Sequence, residues 1–199
     1  MSYSVTSSAD ACYPGTTVLV NKLGLRNQEA LNEAESVTVA LHSAEIEEEE
    51  VNSRIPFSFD YYCGLHRRLF GDLYDWAGEL RTIDFSKKGT VFYKADVLRE
   101  LGTAKFARLE AMDEFKGLPR SELVDSLTDL YHELNMLHPF REGNGRTQRL
   151  FFTLLLQRLG YRFSFAECDT DELMVATIYA AQGIKSYLRD FFEKTLSDR

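Results

Sequence analysis

The reading of this chain turns on His138-Pro139-Phe140-Arg141-Glu142-Gly143-Asn144-Gly145-Arg146-Thr147-Gln148-Arg149. Two apolar helical patterns flank this polar segment. Before it, Leu123, Leu127, Leu130, Tyr131, Leu134 and Leu137 recur at spacings of three and four, which predicts an amphipathic helix over 120–137 that Pro139 stops. After it, Arg146 to Leu159 is strongly apolar, and Gly160 supplies a C-terminal cap. The segment between is a loop entering a helix. Gly143 and Gly145 tolerate the dihedrals that aim successive backbone N–H groups at one point. The helix adds its own free N–H groups and the positive end of its dipole.

That geometry is an anion hole. Arg146 and Arg149 lie three apart, on one helix face, and two guanidiniums there suit a di- or triphosphate. Glu142 would repel phosphate unless a cation bridges the two, which implies Mg²⁺ held by one carboxylate and phosphate oxygens. His138 can accept a proton near neutral pH. The implied reaction is attack of a deprotonated hydroxyl on a phosphorus of a Mg-nucleotide. Phe140, apolar in a polar loop, reads as the anchor that pins the loop to the core. Gly-Asn-Gly alone would be a turn; the combination of His, Glu, two Gly and two Arg carries the reading.

Working outward, residues 27–50 read as a helix capped by Asn27, with Leu31, Ala34, Val37, Leu41 and Ala44 as its apolar face. Glu45 to Glu50 reads as a solvated end. Ser58 caps a second helix carrying Tyr61, Leu65, Leu69, Leu73 and Trp76, ending near Gly78. Arg81–Phe85 and Thr90–Tyr93 are β-prone around the turn-like Ser86-Lys87-Lys88-Gly89, which predicts a hairpin leaning on helices. Further helical periods cover 95–114, 168–181 and 183–196. Residues 1–12 read as a flexible arm and 13–199 as one domain. The fold class is mainly α, a helical bundle with one hairpin.

Acidic residues outnumber basic ones, 31 to 23, giving a net charge of −8. That disfavours a DNA-binding surface, which needs a basic face. Cys12, Cys63 and Cys168 form no CxxC pair, so neither zinc nor a disulfide framework is expected. The start lacks a basic segment followed by an apolar run, and no window approaches a membrane span. A bacterial cytoplasmic protein is expected, with secretion into a host as the other course.

The twelve residues 138–149 match the signature of the Fic (filamentation induced by cAMP) family, His-x-Phe-x-Asp/Glu-Gly-Asn-Gly-Arg-x-x-Arg, at every defined position. Phe59-Asp60, Leu65 to Gly78, and Tyr13-Pro14-Gly15 to Gly24 also resemble compact bacterial Fic toxins, so the resemblance covers about 13–195, with a catalytic core near 58–195. It implies a helical bundle with a β-hairpin flap and transfer of AMP from ATP to a Ser, Thr or Tyr hydroxyl of a target protein. His138 would be the general base and Glu142 the Mg²⁺ ligand. Gly143, Asn144, Gly145 and Arg146 would cradle the α- and β-phosphates, and Arg149 would meet the γ-phosphate. Lys88, Gly89, Thr90, Val91, Phe92 and Tyr93 of the flap would hold the target segment by strand addition. Related toxins modify type II topoisomerase subunits, which makes those a first target to assay. Ser43-Ala44-Glu45-Ile46-Glu47-Glu48 partly matches the family's inhibitory motif and makes Glu47 a candidate inhibitory residue. The other arrangement is a separate small antitoxin chain supplying that glutamate. A Fic-fold phosphotransferase or other nucleotidyl transferase, and an inactive nucleotide-binding interaction module, are the competing functions.

Overall fold

A computed structural model describes residues 4–5, 11–50, 52–87, 89–165 and 168–196. Seven α-helices make up most of the described chain: α1 Gln28–Glu50, α2 Phe59–Phe70, α3 Leu98–Ala111, α4 Arg120–Leu137, α5 Asn144–Arg158, α6 Thr170–Ala181 and α7 Ser186–Thr195. The bundle is built around α5. From Leu150 to Leu156 every residue of α5 is buried, so it is a core helix, apolar all round. α1, α2 and α4 pack against it, α3 packs on α2 and α4, and α6 and α7 form a pair on α4. Phe151 is the hub: its ring meets Phe57, Tyr62, Phe106 and Phe152 at centroid distances of 5.2 to 5.5 Å. Each such ring contributes roughly 1.5–3 kcal/mol by burial.

Local chemistry sets the helix ends. Asn27 Oδ1 accepts from the Ala30 N–H at 3.0 Å, and Ser58 Oγ from the Tyr61 N–H at 3.0 Å, the side-chain caps expected from the sequence. α2 stops earlier than its periodicity suggests. It ends at Phe70, and Leu73, Tyr74 and Ala77 are buried from turns rather than from a continued helix. Those turns close with Leu73 and Tyr74 N–H groups both donating to Phe70 O at 2.9 Å.

α1 also differs from its expected face. The buried side is Leu31, Glu35, Val39 and Ile46, whereas Val37 and Leu41 are 65% and 58% exposed. The inward stripe is rotated because it contains a paired carboxylate, Glu35, which makes the buried face look polar in sequence.

The hairpin is short: β2 Phe85–Lys87 and β3 Thr90–Val91, in antiparallel register Ser86↔Val91 and Lys87↔Thr90. A further strand, β1 Ser4–Val5, pairs antiparallel with the other edge of β2, Ser4↔Ser86 and Val5↔Phe85. Within the segment expected as a flexible arm, Ser4–Val5 makes this pairing and Cys12 forms an antiparallel bridge to Leu19.

Candidate active site

α4 ends and α5 begins at the same loop, and their ends are locked by side chains of the loop itself. His138 is the C-cap of α4 in the left-handed region, φ 42° and ψ 58°. That conformation is uncommon outside glycine. Pro139 then prevents continuation. Phe140 is fully buried, stacked on His66 at 3.9 Å and on Tyr62 at 5.7 Å. Asn144 fixes it: Phe140 N–H donates to Asn144 Oδ1, and Asn144 Nδ2 donates back to Phe140 O, both at 2.8 Å. The Asn144 side chain is therefore spent inside the loop, and what it can present to a ligand is its backbone N–H.

Gly143, with φ +79°, is the N-cap of α5. A Cβ there would sit 2.5 Å from the Phe70 ring, so only glycine fits. The first bond of the α5 ladder runs from Thr147 N–H to Gly143 O at 3.0 Å. The N–H groups of Asn144, Gly145 and Arg146 precede it and face the loop mouth. Glu142 Oε1 accepts from Gly143 N–H at 2.9 Å and lies 3.4 Å from Arg146 Nη2.

The two arginines differ sharply. Arg146 lies over the Phe70 ring at 4.8 Å and makes a 2.8 Å ion pair through Nη1 with Glu35 Oε2. Arg149 is half-buried, and burial lowers its pKa, with Tyr131 opposing and Arg146 pulling the same way as burial. A guanidinium keeps its charge regardless. Among the described residues no carboxylate is paired with this cation. Glu47 accepts from Gln157 Nε2 at 3.0 Å, about 12 Å further along α5 than Arg149 at 1.5 Å per residue.

Three residues outside the motif hold the site. His66, fully buried in α2, accepts at Nδ1 from Gly78 N–H at 2.8 Å, so its Nε2–H donates to Glu142 O at 2.9 Å. Burial pulls its pKa down to about 4, outweighing the hydrogen bond to Glu142 O. Arg81, 4% exposed, sends Nε to His138 O at 2.8 Å, Nη1 to Ile83 O at 2.6 Å and Nη2 to Tyr93 O, while its N–H donates to Pro139 O at 2.8 Å. It ties the base of the hairpin to the loop. Tyr74 donates to Glu35 Oε1, with a pKa raised by burial and then by that carboxylate. The signal for His66 was available in sequence, a polar residue at i+4 along an otherwise apolar stripe, Tyr62–His66–Phe70.

On the hairpin, Phe92 is buried and stacks on the His138 ring at 3.9 Å and 10°. Tyr93 N–H donates to Met136 O at 3.1 Å, Val91 is 73% exposed, Thr90 is half-buried, and Gly89 makes the turn at φ +82°. Lys88 lies outside the described residues.

His66 gives a pH prediction. Its folded pKa lies below the unfolded value of about 6.5, so the unfolded state binds more protons between the two. Stability from this group is full above pH 6.5 and declines toward pH 4, by at most about 1.4 kcal/mol per pH unit. Urea unfolding at pH 7, 5.5 and 4.5 should show a steeper acid slope for the wild type than for His66→Gln; equal slopes would remove His66 as the source.

A profile of the Fic/DOC family matches residues 56–156. The chain is 34% identical over 186 residues to the "Probable protein adenylyltransferase Fic" of Salmonella typhimurium, covering 94% of this chain and 91% of that protein. It is 33% identical, with the same coverage, to the Escherichia coli protein of that description. Against a protein adenylyltransferase of Bartonella henselae it is 36% identical, over 85% of this chain and 34% of that longer protein. Among solved structures, the BepC protein of Bartonella tribocorum, crystallised with AMPPNP, superposes with a TM-score of 0.84 at 25% identity, covering 95% of this chain and 97% of that one. The loop geometry and this similarity over nearly the whole length converge: the chain belongs to the Fic/DOC family and is, by homology, a protein adenylyltransferase.

Proposed function

We propose that this enzyme transfers AMP from Mg-ATP to a Ser, Thr or Tyr hydroxyl of a target protein, as the toxin of a toxin–antitoxin pair in the bacterial cytoplasm, with residues 13–199 as its Fic domain. The observation that carries the reading is the junction of α4 and α5, which brings together an imidazole, a helix N-terminus and a guanidinium with no carboxylate partner among the described residues. His138 takes the hydroxyl proton. The hydroxyl oxygen attacks the α-phosphorus, the bond from that phosphorus to the bridging oxygen breaks, and pyrophosphate leaves. N–H groups at Asn144, Gly145 and Arg146 receive the α- and β-phosphate oxygens, joined by that of Gly143 once Glu142 Oε1, which it meets here, turns to the metal, and Arg149 receives the γ-phosphate.

Glu142 would hold Mg²⁺, which neutralises charge on the phosphates when bound. The donor set fits: Glu142 places one carboxylate at the start of α5, beside the Gly143 N–H, and Mg²⁺ beside a nucleotide needs only one or two carboxylates, with phosphate oxygens and water completing its shell.

Two further observations support the partners. The edge of β2 already takes Ser4–Val5 as an antiparallel strand, the pairing by which an extended target segment would add to the hairpin. Among the described residues Arg149 has no carboxylate partner, and Glu47 is engaged by Gln157, which favours a small antitoxin chain as the source of an inhibitory glutamate. A type II topoisomerase subunit is the target we assay first. Incubation of the enzyme and lysate with α-labelled or γ-labelled ATP, followed by mass spectrometry, should put label from the α position on a protein hydroxyl, as an added AMP. Label from the γ position alone would establish phosphotransfer and defeat the reading.

A further inference from the structure

α1 carries a carboxylate where its pattern wants an apolar residue. Leu31, Glu35 and Val39 are one helical turn apart and all face inward, and Glu35 is 7% exposed. A buried carboxylate costs several kcal/mol unless it is paired and hydrogen-bonded. Here both oxygens are used. Oε1 accepts from Tyr74, and Oε2 accepts from Arg146 Nη1 at 2.8 Å. Tyr74 is itself held, 1% exposed and stacked on Trp76 at 4.4 Å. The sequence positions are 111 apart, so the pair joins the N-terminal helix to the first turn of α5.

If the only need were to glue α1 onto α5, an apolar side chain would serve as well or better, since replacing a buried ion pair by packed hydrophobes is often neutral or stabilising. A carboxylate does something an apolar group does not: it fixes a guanidinium. Arg146 is otherwise a long side chain with many rotamers to lose. It also stands near Arg149, whose charge repels it. Glu35 takes the Nη1 edge, and the Phe70 ring covers one face at 4.8 Å. Nη2 is left pointing toward Glu142 and the loop mouth.

We propose that Glu35 is a positioning residue for the transfer reaction: locked by Tyr74, it holds the Arg146 guanidinium at the angle that meets the nucleotide's phosphates. This rests on the reading of Arg146 as a phosphate ligand. Glu35 touches no substrate and acts only through Arg146. α1 is then part of the active site although it contributes nothing to the motif.

The test is a double-mutant cycle with Glu35→Gln, Glu35→Met, Arg146→Ala and the combination Glu35→Met with Arg146→Ala. ATP kinetics, the Kd for a non-hydrolysable ATP analogue, and melting temperature are read for each. Arg146→Ala should lose activity. Glu35→Gln should lower kcat/KM for ATP about tenfold, and Glu35→Met up to about a hundredfold, the scale of a misplaced binding group. Glu35→Met should melt no lower than Glu35→Gln, and in the Arg146→Ala background it should cost nothing further. Full activity in Arg146→Ala would defeat the phosphate reading itself. Loss in Arg146→Ala with wild-type kinetics and affinity in both Glu35 variants would overturn the positioning role alone. So would an additive loss, or a rise in activity on removing Glu35, which would make it a brake.

Discussion

His138→Asn will leave the protein folded and reduce AMP transfer by about 10²- to 10⁴-fold, the usual contribution of a positioned general base. Asparagine is the informative replacement because His138 sits at φ 42°, and asparagine adopts the left-handed region more readily than other non-glycine residues. It keeps the C-cap of α4 and a planar group against Phe92, but cannot take a proton at neutral pH. His138→Ala should lose transfer to the same extent and also melt lower, because it forfeits the 3.9 Å ring stack. Binding of a non-hydrolysable ATP analogue should be nearly unchanged in both, since the proposed phosphate ligands, α5 and its arginines, are left intact. An Asn variant with wild-type turnover would mean that another group accepts the hydroxyl proton.

The motif was legible because its residues act locally. A loop that must turn at Gly143, stop α4 at Pro139 and start α5 needs its residues in a fixed order, and order is what a sequence displays. The helices were legible for the same reason, down to the Asn27 and Ser58 caps. What was hidden comes from pairings across long separations. The inward face of α1 was misread because Glu35 is neutralised by Arg146, 111 positions away, and a paired buried charge looks in sequence like a solvated one. Arg81 was invisible as a linker for a related reason: its acceptors are backbone carbonyls of Ile83, Tyr93, Leu137 and His138, which any residue could supply. The short strand at Ser4–Val5 has no pattern of its own and is defined only by the β2 edge it meets.

These distant residues explain why the hairpin and the loop behave as one piece. Arg81 binds the hairpin base to the carbonyl of His138, Phe92 stacks on the His138 ring, and Tyr93 donates to Met136 in α4. Three separate contacts therefore fix the hairpin against the α4–α5 loop, which steadies a short sheet that would be marginal alone.

Gly143→Ala should have the largest structural effect of any conservative change in the loop. Two costs combine. At φ +79° an alanine pays roughly 1–2 kcal/mol, and its Cβ would stand 2.5 Å from Phe70 Cε2 and Cζ, an overpacking worth a further 1–3 kcal/mol. Phe70 cannot retreat cheaply. It is fully buried, tilted against His66 at 4.8 Å, and lies under the Arg146 guanidinium. Any shift it makes therefore disturbs His66, which holds Glu142 O, and Arg146, the proposed phosphate ligand. At about 2–4 °C per kcal/mol for a chain of this size, the melting temperature should fall by roughly 10 °C, and nucleotide affinity should fall with it. Gly145→Ala is the control. Its added Cβ meets only Arg149 Nη1, at 3.4 Å, the mobile end of a long side chain, and it lies inside α5, where alanine is favoured over glycine by up to about 1 kcal/mol. Its melting temperature should match or exceed that of the wild type. Equal melting temperatures for the two variants would mean that the close approach of Gly143 to Phe70 does not constrain the loop.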